Sequence, residues 1–322
     1  MIHLAPARTA GLSRRPHRLA AAVLAGALVG TLLAACGGSG APTASAVPGA
    51  LQVVTTTTIL ADMVHQVGGE RVSVNSLVPR GGEVHTFDPT PADVRRLAAA
   101  DLVFINGLGL DEWLANLVAD TGTRAPVVRL AEKLEGVDYL AGGGEGTEAV
   151  NPHLWLNVAY AAKYAERIAG SLAAADPDHA ADYQAGYTAY AKVLGDLDTM
   201  AAATLGAIPE ANRTVISFHD AFPYFAAAYG LTIDGTIVNA PGQDPSAAQV
   251  SGLIRLVKEQ GIKAIFAEAQ FSEDLVRTIA DETGATVVSD LYTDSVGDAP
   301  QDTYAGMMTW NVEQVAKALT GS

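Results

Sequence analysis

From Leu51 onward, short runs of β-branched and apolar residues alternate with longer stretches whose apolar positions recur every three or four residues. Val53-Val54-Thr55-Thr56-Thr57 reads as a strand, Ile59 to Val67 as a helix and Val72 to Val78 as a second strand. Pro91 to Ala100 as helix, Leu102 to Ile105 as strand and Asp111 to Ala119 as helix continue the order, which is the signature of a parallel sheet wrapped by helices. A second series opens with a strand at Thr214 to Phe218. It continues through strands at Ala264 to Ala267 and Thr286 to Val288, separated by helical stretches at Ser246 to Gln260 and Ser272 to Thr283. The expected class is α/β with two lobes, each a parallel sheet wrapped by helices.

Between the two series, Tyr183, Tyr187, Tyr190, Leu194, Leu197, Ala201 and Leu205 form a helical stripe within Asp178 to Gly206. As one helix this span would run roughly 43 Å at about 1.5 Å per residue, the length of both lobes. Gly186 and Gly195 leave open a second reading, two shorter core helices broken near Gly195, because glycine costs only about 1 kcal/mol inside a helix. A single helix would join the lobes rigidly. The expected organisation is a first lobe over 51–177, a connecting helix over 178–206 and a second lobe over 207–322. That division also suits a chain longer than one core usually serves.

Residues 1–35 follow a different pattern. Arg8, Arg14, Arg15 and Arg18 precede an apolar run from Leu19 to Ala35, without any acidic residue, which reads as a secretory signal rather than a membrane span. The run ends in Leu33-Ala34-Ala35-Cys36, similar to the lipobox of bacterial lipoproteins, and Cys36 is the only cysteine. A lone thiol cannot form an internal disulfide, so lipidation at Cys36 is the expectation. Residues 36–50, rich in Gly, Ser, Ala and Pro, read as a flexible tether that would leave a lipid-anchored, extracytoplasmic domain free to swivel.

The chain has 20 basic and 35 acidic residues, and without the four signal arginines the balance is 16 against 35. Such a charge repels phosphate backbones and argues against a nucleic-acid partner. Neither a Gly-x-Ser-x-Gly elbow nor a phosphate-binding glycine loop is present.

His85, His153, His219 and Asp294 each stand where a strand or extended run opens into a loop. His85 follows the glycine-bearing stretch Pro79-Arg80-Gly81-Gly82-Glu83-Val84, and His153 follows Asn151-Pro152. His219 ends the strand Thr214 to Phe218, the carboxyl edge where α/β folds place ligands. Singly, each reads as a structural or capping residue; jointly they suggest a metal site, since imidazole nitrogen and carboxylate oxygen both suit zinc. His65 and His179 read as ordinary surface residues.

Several motifs resemble the zinc and manganese solute-binding lipoproteins of bacterial ABC importers, the ZnuA-like and TroA-like group, from Leu51 to Leu319. They are His85-Thr86-Phe87-Asp88-Pro89, Asn151-Pro152-His153-Leu154-Trp155-Leu156, Ser217-Phe218-His219-Asp220-Ala221-Phe222-Pro223-Tyr224-Phe225, Phe266-Ala267-Glu268-Ala269-Gln270-Phe271 and Tyr292-Thr293-Asp294-Ser295. The resemblance implies that His85, His153, His219 and Asp294 bind a divalent metal in a cleft between two α/β lobes joined by one rigid helix. It further implies delivery to an ABC transporter permease. Two departures stand out: Glu83-Val84 replaces the usual Asp-Pro before the first histidine, and Gly142 to Glu148 contains none of the histidines many zinc members carry there. Glu145 and Glu148 could gather metal in that loop.

Three nitrogens and one carboxylate favour Zn2+, with Mn2+ as the alternative, and manganese members of this resemblance commonly carry glutamate where this chain has His219. Glu268 is expected to orient a ligand histidine or balance charge, or to form a structural salt bridge. The protein is expected to be a monomeric binding protein without enzymatic activity. Two rival classes are a zinc-dependent hydrolase, which needs an open coordination position and a base, and an adhesin stabilised by a structural metal.

Overall fold

The computed structural model describes residues 49–142, 149–238, 241–242, 244–270 and 272–320. Cys36, the signal segment, most of the tether, and Glu145 and Glu148 lie outside the described residues.

The first lobe comprises β1 (Leu51–Thr55), α1 (Thr58–Gly68), β2 (Val72–Ser76), α2 (Pro91–Ala98), β3 (Leu102–Ile105), α3 (Trp113–Thr121) and β4 (Val127–Arg129). Its strands are parallel in the order β2-β1-β3-β4. Then come α4 (Val158–Ala175) and α5 (Ala180–Gly206). The second lobe contains β5 (Thr214–Ser217), α6 (Pro223–Tyr229), β6 (Thr232–Thr236), α7 (Ala247–Gln260), β7 (Ala264–Glu268), α8 (Asp274–Thr283), β8 (Thr286–Leu291) and α9 (Tyr304–Thr320). Its parallel order, β6-β5-β7-β8, repeats that of the first. In each sheet the chain reverses its direction of travel beside the first strand, and such switch points open a crevice at the carboxyl ends of the strands.

Local chemistry sets the element ends. The expected strand over Val53 to Thr57 stops at Thr55, because Thr57 is the N-cap of α1 and its hydroxyl accepts from the Leu60 N–H. The helix expected from Asp111 begins at Trp113: the Asp111 carboxylate accepts from the Asn106 and Gly107 N–H groups and from the Thr56 hydroxyl. Thr90 and Asp93 form a capping box on α2, as Ser246 and Gln249 do on α7. Strands β4 and β6 and helices α4 and α9 were not anticipated. Val127–Arg129 is only three residues long, and Thr232–Thr236 contains Asp234 and Gly235, so neither carries a strong alternating pattern.

The connecting segment is one helix. A 3-10 turn at Pro177–His179 precedes α5, which continues without a break through Gly195. Tyr183, Tyr190, Leu194, Leu197, Ala201 and Leu205 are its buried stripe, with Tyr187 packed at the margin. Helix α5 contacts α1 and α4 of the first lobe, α6 of the second, and α9. The largest buried cluster therefore does not stop at either lobe: it runs from Val53 and Phe104 through Trp155, Tyr164 and Leu194 to Phe222, Phe266 and Met307. Two smaller clusters fill the remaining helix layers, one around Leu97 and Val103 and one around Ile265 and Val276. Helix α9 reaches back to the first lobe, where the Tyr304 N–H donates to Asp62 Oδ2 at 2.8 Å and the Tyr304 hydroxyl to Trp155 O at 2.6 Å.

The two glycines inside α5 stand in opposite environments. A Cβ at Gly186 would run into the Val67 carbonyl of α1, whereas one at Gly195 would meet open space. Gly186→Ala should destabilise the protein by about 1–3 kcal/mol through overpacking, and Gly195→Ala should stabilise it by up to about 1 kcal/mol through helix propensity. Denaturant titration of both variants checks the opposed signs.

Candidate metal centre

The first lobe supplies two of the four expected donors. His85 lies on the loop that leaves β2, held where its own N–H donates to Glu83 Oε1 (2.8 Å) and where Trp113 Nε1 donates to Val84 O (2.9 Å). His153 follows Pro152, whose carbonyl accepts from Asn106 Nδ2 at the end of β3, and it opens a 3-10 turn at Leu154–Leu156. The second lobe supplies the other two. His219 stands two residues beyond β5, at that sheet's switch point, with its carbonyl accepting from the Ser217 hydroxyl (2.8 Å). Asp294 follows β8 on a segment held by Asn311, which accepts from Tyr292 N and donates to Tyr292 O.

Contacts between the lobes draw these loops together. Trp155 Nε1 donates to Thr293 O at 2.7 Å, and the Ser295 hydroxyl accepts from the Gly81 N–H at 2.9 Å and lies 3.1 Å from the Thr58 hydroxyl. At the surface Arg80 pairs with Asp298 at 2.9 Å.

The four groups converge. One donor atom from each of His85, His153, His219 and Asp294 lies within 4.8 Å of every other, and among the described residues no other such cluster of three or more His, Cys, Asp or Glu is found. His153 Nε2 stands 3.3 Å from His219 Nε2 and 3.6 Å from Asp294 Oδ1, and both His85 Nε2 and His219 Nε2 are 3.9 Å from Asp294 Oδ2. Four donors at about 2.0–2.2 Å from one tetrahedral ion lie roughly 3.3–3.6 Å apart. The ring of donors is therefore near that size. His153, His219 and Asp294 are buried and His85 is half-buried. His85 Nε2 and Asp294 Oδ1 are buried without a hydrogen-bond partner, a state that costs about 1–3 kcal/mol per group unless something else satisfies them.

Neighbouring groups fix the donors from outside the ring. The Glu268 carboxylate at the end of β7, beside a register shift against β8, is hydrogen-bonded to His219 Nδ1. Burial by itself would lower the basicity of His219, but Glu268, joined by Asp294 and Glu83, outweighs it and raises the pKa to about 9. Burial, reinforced by the positive His219, pushes His85 down to about 3 and His153 well below the ordinary imidazole value. Burial raises Asp294 to about 7, against the attraction of His219 and a 3.1 Å hydrogen bond from Gln270 Nε2.

Three side chains that no sequence pattern singles out also contribute: Gln270, Asn151 and Glu83. Gln270 lies in the turn that directly follows β7, two residues beyond Glu268. The two remaining histidines of the described residues stay outside the centre: His65 is exposed on α1, and His179 pairs with Asp176 at 2.8 Å just before α5.

Residues 53–318 match the family model described as ZnuA, zinc-uptake complex component A periplasmic. The chain belongs to the ZnuA/TroA family of metal-binding substrate-binding lipoproteins of ABC importers. It is 32% identical over 295 residues to the manganese-binding lipoprotein MntA of Halalkalibacterium halodurans, covering 91% of this chain and 96% of that protein. It is 31% identical over 297 residues to the iron ABC transporter substrate-binding lipoprotein MtsA of Streptococcus pyogenes, covering 89% and 94%. The solved structure of the periplasmic zinc-binding protein TroA from Treponema pallidum superposes with a TM-score of 0.77 at 27% identity, over 84% of this chain and 99% of TroA. The ZnuA/TroA family is one of substrate-binding receptors, and its two-lobed architecture is the one described above.

The Glu268 contact has a measurable consequence. In Glu268→Gln the largest of the charges that raise His219 is gone while burial remains, so the imidazole should titrate well below about 9. Nuclear magnetic resonance titration of the His219 ring in metal-free protein reads this directly, and a ring still protonated at pH 8 would contradict it.

Proposed function

We propose that the protein captures a divalent transition metal outside the cytoplasm and passes it to the permease of an ABC importer, and that the captured ion is zinc. His85, His153 and His219 supply three imidazole nitrogens and Asp294 supplies the fourth donor. The supporting observation is the convergence of these four groups with two donor atoms left unsatisfied. A three-nitrogen, one-oxygen set of near-tetrahedral size suits zinc better than the oxygen-rich, higher-coordinate shells manganese prefers. Four protein donors would fill a tetrahedral shell, so the ion is read as cargo rather than a catalyst. Manganese or iron is the second reading, favoured by the names of the relatives MntA and MtsA.

The remaining assignments belong to the same proposal. Residues 1–35 direct export, Cys36 carries the lipid, 36–50 form the tether, and the monomer presents its ion from residues 51–322. Among the described residues no helix is long and apolar enough to cross a membrane.

Elemental analysis of protein purified without added metal, followed by zinc and manganese titrations of the wild type and His219→Ala, tests the reading. At least a roughly tenfold loss of zinc affinity is expected in the variant; an unchanged affinity would remove His219 from the donor set, and tighter manganese than zinc binding would favour the second reading. The pH profile has a definite sign. A bound ion displaces the proton held by His219 up to about 9 and, below about 7, the one held by Asp294. Affinity should therefore rise with pH, by about tenfold per pH unit for each proton displaced. Two protons are expected to be released per ion near pH 6 and one near pH 8, measured by calorimetry in buffers of different ionisation enthalpy.

A further inference from the structure

Asn151 stands at the seam, buried, two residues before His153. Its amide orientation is fixed from both ends. On one side the His153 backbone N–H, which can only donate, lies 3.0 Å from Oδ1. On the other, the Asp220 backbone carbonyl, which can only accept, lies 2.7 Å from Nδ2, with Asp220 Oδ2 at 3.0 Å from the same nitrogen. Oδ1 is therefore an acceptor, and His153 Nδ1, also 3.0 Å from it, must carry the ring proton. In a neutral ring that leaves the lone pair on Nε2, the nitrogen that faces His219 and Asp294.

The same residue spans the two lobes. Asn151 precedes α4 on the first-lobe side, whereas Asp220 directly follows His219 and belongs to the second. The Tyr224 hydroxyl of α6 donates to the Asn151 backbone carbonyl at 3.0 Å, so the second lobe holds both the main chain and the side chain of Asn151. If the lobes part here, the Asn151 amide loses the acceptor that fixes its orientation, and His153 loses the partner that fixes its tautomer.

We propose that Asn151 is a positioning residue that aims the His153 Nε2 lone pair at the ion and makes that aim depend on contact between the lobes, so that closure and ligand readiness are one event. This rests on the metal-capture reading above. Outer hydrogen-bond partners of ligating histidines fix tautomer and ring direction, and their loss typically weakens metal binding by about 10–100-fold.

Two variants separate the halves of the proposal. Asn151→Ala removes both the acceptor for His153 and the bond to Asp220. Asn151→Asp keeps an acceptor for His153 but sets a carboxylate against the oxygens of Asp220. Ring nitrogen resonances of His153 in metal-free protein report the tautomer, and zinc release to an excess of chelator reports the inter-lobe bond. The wild type should show Nδ1–H only. Asn151→Ala should show both tautomers or Nε2–H, with zinc affinity at least about tenfold lower. Asn151→Asp should retain Nδ1–H yet release zinc at least about tenfold faster. A merely structural role would lower the melting temperature of both variants without moving either reading. An unchanged His153 tautomer in Asn151→Ala, or wild-type release from Asn151→Asp, overturns the proposal, and the isosteric Asp variant decides it by itself if the Ala variant does not fold. Wild type and His153→Ala measured in parallel keep the two levels apart: equal zinc affinity for those two would remove the metal-capture reading, while the tautomer spectra would still report what Asn151 does.

Discussion

Everything in this molecule is arranged around one electrostatic constraint, the gathering of three imidazoles and a carboxylate into a buried cluster. Left alone, such groups would repel one another or seek solvent. They stay because partners outside the ring hold each one: Glu268 on His219, Asn151 on His153, Gln270 on Asp294, and the Glu83 carboxylate on the backbone of His85. Two donor atoms on the inner side remain unsatisfied. The arrangement is therefore preorganised for a cation, with much of the ordering completed before an ion arrives.

The scaffold explains how the four groups are held together. Two sheets of the same strand order place their carboxyl edges toward the seam, so the loops that follow β2, β5 and β8 reach it together with the His153 segment. The lobes are not independent bodies meeting at a flexible waist. Helix α5 and the returning helix α9 carry one buried cluster through both, and Tyr304 ties α9 to α1 and to the Trp155 segment. Wide separation would have to break a close-packed interior, whose atoms interlock as in a crystal. At the seam itself the loops of the two lobes are joined by individual hydrogen bonds such as Gly81 to Ser295 and Asn151 to Asp220.

Charge and proton occupancy link this architecture to metal transport. Glu268 against Nδ1 raises His219 to about 9, and under the proposed reading an incoming dication would displace a proton from Nε2, the nitrogen that faces His153 and Asp294. Zinc, manganese and iron would all profit from that exchange. Preference among them would depend on donor softness and on the coordination number the ring permits.

The hydrophobic pattern was sufficient for the two α/β series, the stripe of α5 and the loop positions of His85, His153, His219 and Asp294, because periodicity and strand-end placement are local properties. Short or polar elements such as β4 and β6 escaped it: three residues, or five containing Asp234 and Gly235, take their extended form from neighbouring strands. That α5 passes through Gly195 without a break is likewise a property of the folded chain, in which the helix is packed against α1, α4 and α9 along its length. Tertiary structure alone decided that the four donors stand within 4.8 Å, that Glu268 meets Nδ1 of His219, and that Asn151 faces Asp220. The donor chemistry is written in the chain, whereas distance, proton occupancy and ring orientation arise only when segments more than sixty residues apart are brought into a common low-dielectric space.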